Sequence, residues 1–175
     1  MPRPVIIVEY DHQWPILYEE EGRLILGVVG HRVLAVEHIG STAVPGLGAK
    51  PIIDMMAGVH RPSDADDCVP LLREIGYTDV TPEPEDPDWY YCLGKGPHSV
   101  GCHLHLMKFG SDSWERHLLF RDYLRTHPHV AQQYYETKRK LAAKLGFDRA
   151  AYTEAKTSFI ESVIARARRD CTSPT

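Results

Sequence analysis

The sequence predicts an α+β fold: a small mixed β-sheet with flanking helices and a C-terminal helical section. Three observations predict it. Stretches 32–39, 51–59, 89–95 and 101–109 are rich in aliphatic, β-branched and aromatic residues and are bounded by turn residues, as strands are. Apolar residues at helical spacing run through 14–28, and a helix signature covers 63–77. After about residue 110 the strand pattern stops and three helices follow. At 175 residues the chain can build one domain with a real core. No repeat at solenoid periods and no long linker divides it. One domain over 1–175 is therefore expected, α/β to about 110 and helical over about 111–170.

The elements follow in order. VIIVEY (5–10) reads as a short strand or an extended lead-in. Trp14, Leu17, Tyr18, Leu24, Ile25 and Val28 form a helical stripe, with an acidic run on the other side. RVLAVEHI (32–39) is a strand, STAVPGLGAK a turn region with room for one helical turn, and PIIDMMAGV (51–59) a strand apolar on both faces, hence central. In 63–77, Ser63 is the expected N-cap and Gly76 the stop. TPEPEDPD (81–88) is a Pro-rich acidic loop. WYYCLGK and GCHLHLMKF form a hairpin around a Gly/Pro turn. Asp112 and Glu115 have capping-box spacing, Pro128 opens the next helix, which ends at Gly146, and Asp148 caps the last, which runs to about Arg169.

Composition narrows the function classes. The chain is 43% hydrophobic and 25% charged, ordinary for a soluble protein. No segment approaches the roughly 20 apolar residues that span a bilayer, and the N-terminal apolar run is too short for a signal peptide. A net charge of −4 argues against binding a nucleic-acid backbone. The 4 cysteines lack metal-site or disulfide spacing and read as reduced thiols, so the expected location is cytoplasmic. Of the 10 histidines, several cluster: His98, His103 and His105, then His117, His127 and His129.

The chemistry concentrates in EHIGSTAVPGLGAKPIIDMM (37–56). Gly40 lets backbone approach an anion closely. Ser41 adds a hydroxyl and can cap a short helix whose N-terminus favours a phosphate. Asp54, alone in an apolar strand, can hold a divalent cation beside that phosphate. A lone strand aspartate can equally be a structural hydrogen-bond hub. Glu37 and His38 face opposite sides of their strand, so at most one joins the site.

This stretch closely resembles the signature of the GrpB family, and VEYDHQWPILYEEE, CHLHLMKF and RDYLR match further landmarks over nearly the whole chain. GrpB proteins are similar to the nucleotidyltransferase superfamily that includes DNA polymerase beta. That resemblance implies a sheet of nucleotidyltransferase type and a Gly-Ser turn at Gly40 and Ser41, with Thr42 beside it. It also implies a metal-binding carboxylate at Asp54. The alternate position that carries a second carboxylate in the superfamily is Met56 here. The family's occasional fusion to dephospho-CoA kinase implies a functional link to that enzyme.

His103 and His105 lie two apart and project to one face of a strand, roughly 6.5–7 Å apart. The superfamily resemblance implies that this strand pairs near Asp54, which makes the three a candidate set for magnesium, manganese or zinc, the imidazoles favouring the softer metals. The histidines are also candidates for binding substrate or acting as a general base. Lys138 and Lys156 each fall inside an apolar helical stripe, four residues after a tyrosine. A buried ammonium needs a partner, so each points at carboxylates or into an anion cleft; the alternative is a packed stem with its head in water. Arg121 and Arg125, one turn apart, form either a phosphate clamp or a solvated pair with Asp122. Lys50 is placed to steer an anion.

The leading expectation is a metal-dependent nucleotidyltransferase that takes a nucleoside triphosphate and serves a small-molecule or protein acceptor. Asp54 and His105 would be catalytic, and Gly40, Ser41, Thr42, Lys50, Arg121, Lys138 and Lys156 would bind phosphate. A module that only binds nucleotide or CoA precursor, and a metal-dependent hydrolase built on Asp54, His103 and His105, are the alternatives.

Overall fold

The structure is a computed structural model that describes residues 4–83, 85–96 and 101–172. Pro97, His98 and the rest of the expected Gly/Pro turn at 97–100 lie outside the described residues. Five helices and five strands follow in the order α1 (Trp14–Val29), β1 (Ala35–Ile39), β2 (Ile52–Val59), α2 (Pro62–Glu74), β3 (Tyr77–Pro82), β4 (Trp89–Lys95), β5 (Gly101–Lys108), α3 (Asp112–Thr126), α4 (Pro128–Leu145) and α5 (Arg149–Thr172). The sheet is mixed, in the order β1-β2-β5-β4-β3, with β2 parallel to β5 and the other pairs antiparallel. The fold is therefore α+β, as the sequence predicts. The lead-in contributes only one bridge, Val8 to Ala49.

Strand β3 is the element that sequence reasoning assigned to a helix end and a loop. Its YTDVTP carries Asp79 and Pro82, both poor strand formers. It forms because it lies at the sheet edge, where a terminal proline and an outward carboxylate are tolerated. Two caps also differ. Helix α2 starts at Pro62, capped by Arg61, whose backbone N–H donates to the Asp64 carboxylate at 3.1 Å; Ser63 lies inside the helix. In α3 the cap is Ser111, which accepts from the Trp114 backbone N–H at 3.2 Å, so Asp112 is already helical. Asp148 caps α5 as expected, accepting from the Ala151 N–H at 2.9 Å.

Strand side chains alternate between faces. On one face Ile53, Met55, Ala57, Leu104 and Leu106 pack against Ile25 and Val29 of α1 and Cys68 and Leu72 of α2. The opposite face carries Asp54 and Met56 from β2 and His103, His105 and Met107 from β5. Helix α3 covers one end of that face, where Met56, Met107 and Trp114 bury each other. Helices α4 and α5 do not lie on the sheet. They pack on α3 and on Val44 and Leu47 of the loop after β1. That packing carries Lys138 and Lys156 to the uncovered end of the face.

Candidate functional site

Gly40 leaves β1 with φ of 71°, a left-handed conformation that glycine adopts without strain. A Cβ there would stand 3.1 Å from Asp54 Oδ2, so the glycine also lets the turn close over the carboxylate. Ser41 opens a three-residue 3-10 helix, Ser41–Ala43. One such turn has no useful dipole and Ser41 does not cap it, which corrects the expected helix-capping role. Its hydroxyl instead accepts from Lys138 Nζ at 2.8 Å.

Lys138 is 3% exposed. Its ammonium also donates to the Gly48 carbonyl at 2.6 Å and lies 4.8 Å from the centre of the Tyr134 ring. Lys156 Nζ sits 4.6 Å from the Tyr152 ring centre, and Lys50 Nζ sits 5.5 Å from the same centre. The i, i+4 tyrosine–lysine spacing thus places each ring under its own cation. Gly40, Ser41, Thr42, Lys50, Asp54, Lys138 and Lys156 line one cavity of about 140 Å³, closed by Ile7, Tyr134 and Tyr152. Of the residues proposed from sequence to hold phosphate, Arg121 and its clamp partner Arg125, whose Nε donates to the Ala43 carbonyl at 2.9 Å, lie outside it. For Arg121 the reason is plain. Its guanidinium is engaged by Glu37 at 2.7 Å, Asp122 at 2.7 Å and the His38 carbonyl at 3.0 Å. Glu37 shares the face of Asp54, but Arg121 holds it. Thr42 lines the cavity, yet its hydroxyl is turned inward to His38 Nε2, 2.9 Å, and the Ile52 carbonyl, 3.3 Å.

Asp54 pairs with His103 across the parallel ladder. His103 Nδ1 lies 3.2 Å and His105 Nε2 3.9 Å from Asp54 Oδ1, so the two imidazoles share a face, as the HxH spacing implies, and converge on the carboxylate, as the superfamily resemblance implies. Burial opposes the charge of Asp54, but the two histidines outweigh it and hold the carboxyl well below its usual range. Burial likewise opposes the His105 imidazolium, and Asp54 with neighbouring Cys92 overcomes that, raising it to about 9. Lys138 is lowered to about 7 by burial and then by the charges of Lys156 and Lys50. Lys156 is lowered to about 8 by burial and by Lys50.

The donor set does not fit the two-metal centre that the superfamily resemblance implies. Two-metal transfer needs carboxylate pairs around the reacting phosphate. Met56, in the second position, is 0% exposed in an apolar cluster. Among the described residues, no group of three or more His, Cys, Asp or Glu side chains is placed to hold a metal ion.

Sequence reasoning missed Gly48, whose carbonyl anchors Lys138, and Ile7, brought to the cavity by the Val8–Ala49 bridge. Neither carries a local signal. Tyr134 and Tyr152 did carry one, their spacing to the lysines.

Residues 4–166 match the family described as GrpB protein, and the chain belongs to that family. It is 39% identical over 164 residues to UPF0157 protein BH1888 of Halalkalibacterium halodurans, covering 93% of this chain and 82% of the relative. A dephospho-CoA kinase of Mycolicibacterium paratuberculosis is 27% identical over 187 residues, and the match spans 46% of its length. The crystal structure of conserved protein GrpB from Enterococcus faecalis superposes with a TM-score of 0.85 at 34% identity, over 96% of this chain and 100% of that one. Terminal uridylyl transferase 4 from Trypanosoma brucei with bound dUTP gives a TM-score of 0.59 at 11% identity, over 95% of this chain and 57% of that one. The fold is thus of nucleotidyltransferase type. No described helix is long and apolar enough to cross a membrane.

Proposed function

We propose that the chain binds the phosphate tail of a nucleotide in the cavity between Ser41, Lys138 and Lys156. One observation carries this reading. Lys138 is a buried ammonium whose hydrogen-bond partners are neutral, a hydroxyl and a carbonyl. A buried cation without a carboxylate is unfavourable. An anion in the cavity removes that penalty for Lys138 and Lys156 together. A nucleotide is the anion favoured by the neighbour that carries dUTP, and the dephospho-CoA kinase relative makes a CoA precursor the second candidate.

The test is the melting temperature with ATP, CTP, GTP, UTP and dephospho-CoA, each in EDTA and with magnesium or manganese. A ligand at a hundred times its dissociation constant adds about 2.7 kcal/mol. For a domain of this size that is a shift of roughly 5–10 °C. Failure of every compound to shift the melt would sink the reading.

A second reading adds nucleotidyl transfer to a small-molecule or protein acceptor. Its support is Asp54, whose side chain is 36% exposed at the cavity wall and held ionised by two histidines. In this chain the lysines would hold the phosphates and Asp54 with His103 would orient the group that attacks. Turnover of an α-labelled triphosphate tests it. Label joined to an acceptor supports transfer, whereas release as free nucleotide supports the hydrolase reading.

A further inference from the structure

We infer that the open end of the sheet face holds a second ligand subsite, across His103 from the phosphate cavity, shaped for a small hydroxylated amine. It rests on the phosphate reading in one respect: it is the place for the molecule that meets the nucleotide.

The sheet register sets the subsite out in a line. Ile39 pairs with Asp54, Asp54 with His103, His103 with Gly94, and Gly94 with Asp79. Directly paired positions project to the same face, so Asp54, His103 and Asp79 stand in one row. His103 Nδ1 is tied to Asp54 at 3.2 Å, while 38% of its side chain reaches solvent. Beyond it lies a cavity of about 230 Å³, lined by Ile52, Thr78, Asp79, Gly94, Lys95 and His103 among others. Ile52 lines both cavities, so the two adjoin across one side chain and the Asp54–His103 contact.

Gly94 keeps the row open. A Cβ at 94 would come 3.2 Å from Asp79 Cβ and 3.5 Å from its Oδ2. The exposed Asp79 side chain therefore lies beside the bare backbone of Gly94. Asp79 has no hydrogen-bond or ion-pair partner among the described residues. Lys95, the cation of this cavity, is held by Glu21 on its other side at 2.7 Å. The two cavities are thus of opposite character. The first presents three lysines to an anion. The second presents an unpaired carboxylate and the exposed His103 imidazole, with Thr78 beside them in the lining. Such a set suits an ammonium on Asp79 and a hydroxyl against His103, which brings that hydroxyl next to Asp54.

Ligand-observed NMR with glucosamine, and with glucose as its uncharged counterpart, tests this on the full chain. Glucosamine is expected to bind wild type, with glucose weaker. Asp79→Asn should weaken glucosamine at least fivefold, and Gly94→Ala should weaken it by displacing the carboxylate. Circular dichroism establishes that both variants fold, and the nucleotide melting shift is measured on each. A retained nucleotide shift with lost glucosamine binding supports the subsite. Absence of glucosamine binding to wild type, or equal binding to Asp79→Asn, overturns it. Loss of the nucleotide shift in wild type sinks the phosphate reading separately.

Discussion

Asp54 and Met56 leave β2 on the same face, two residues apart, and meet opposite surroundings. At the covered end, Met56 is 0% exposed against Met107 and Trp114 under α3. At the open end, Asp54 is 36% exposed, bonded to His103, and faces a cavity lined by lysines. The difference comes from where the helices go. Helix α3 caps one end with apolar side chains, while α4 and α5 pass beside the sheet and deliver cations to the other. Part of the sheet face stays polar because nothing is laid on it. The position where the superfamily resemblance would place a second carboxylate belongs to the core.

Met56→Asp would test that division hardest. A carboxylate desolvated among Ile39, Met107 and Trp114, between Glu37 and His105 in the register, should cost about 2–4 kcal/mol, a fall of roughly 4–16 °C in a thermal melt. A variant that melts near wild type, and that magnesium then stabilises, would show that the covered end can serve as a metal site after all.

Next in size is Lys138→Met. It removes a cation that burial disfavours, so the ligand-free melt should move little, while the nucleotide shift of roughly 5–10 °C should vanish. Ligand-free stability and ligand response should therefore separate at the open end, whereas at the covered end only stability is at stake.

Gly40→Ala should cost roughly 1–2 kcal/mol for a positive φ. The added methyl also crowds Asp54. A melt lowered by roughly 2–8 °C together with weakened nucleotide response is expected; an unchanged melt would remove the close approach from the account.

The smallest effect is on pH dependence. Unfolded lysines keep their protons to near their ordinary value of 10.5, whereas folded Lys138 and Lys156 release theirs near 7 and 8. Between about 7 and 10 the unfolded state then binds more protons, and stability without ligand gains from these two groups as pH rises. An anion favours the charged lysines, so nucleotide affinity should fall over the same rise. Calorimetry in buffers of different ionisation enthalpy should detect proton uptake on binding near pH 8.

The core face was legible because its signal is local. A strand apolar on both faces and helices with apolar stripes report their own burial. Part of the lining of the lysine cavity was legible too, since Lys138 and Lys156 stand inside apolar stripes where an ammonium does not belong without a reason. Arg121 carried no such signal. An arginine on a helix beside Asp122 looks alike whether it meets a ligand or Glu37, and only the packing of α3 on β1 decides. Strand β3 was hidden because edge position, not composition, makes Asp79 and Pro82 acceptable there. The row from Asp54 to Asp79 depends on the register of four strands, which no single segment encodes.

The most direct measurement is isothermal titration of ATP, CTP, GTP and UTP into wild type and Lys138→Met, in EDTA and in magnesium. Binding of at least one nucleotide to wild type in EDTA, lost in Lys138→Met, is expected if the lysine cavity holds the phosphate tail. Binding that Lys138→Met retains in full, or no binding to wild type under either condition, would contradict it.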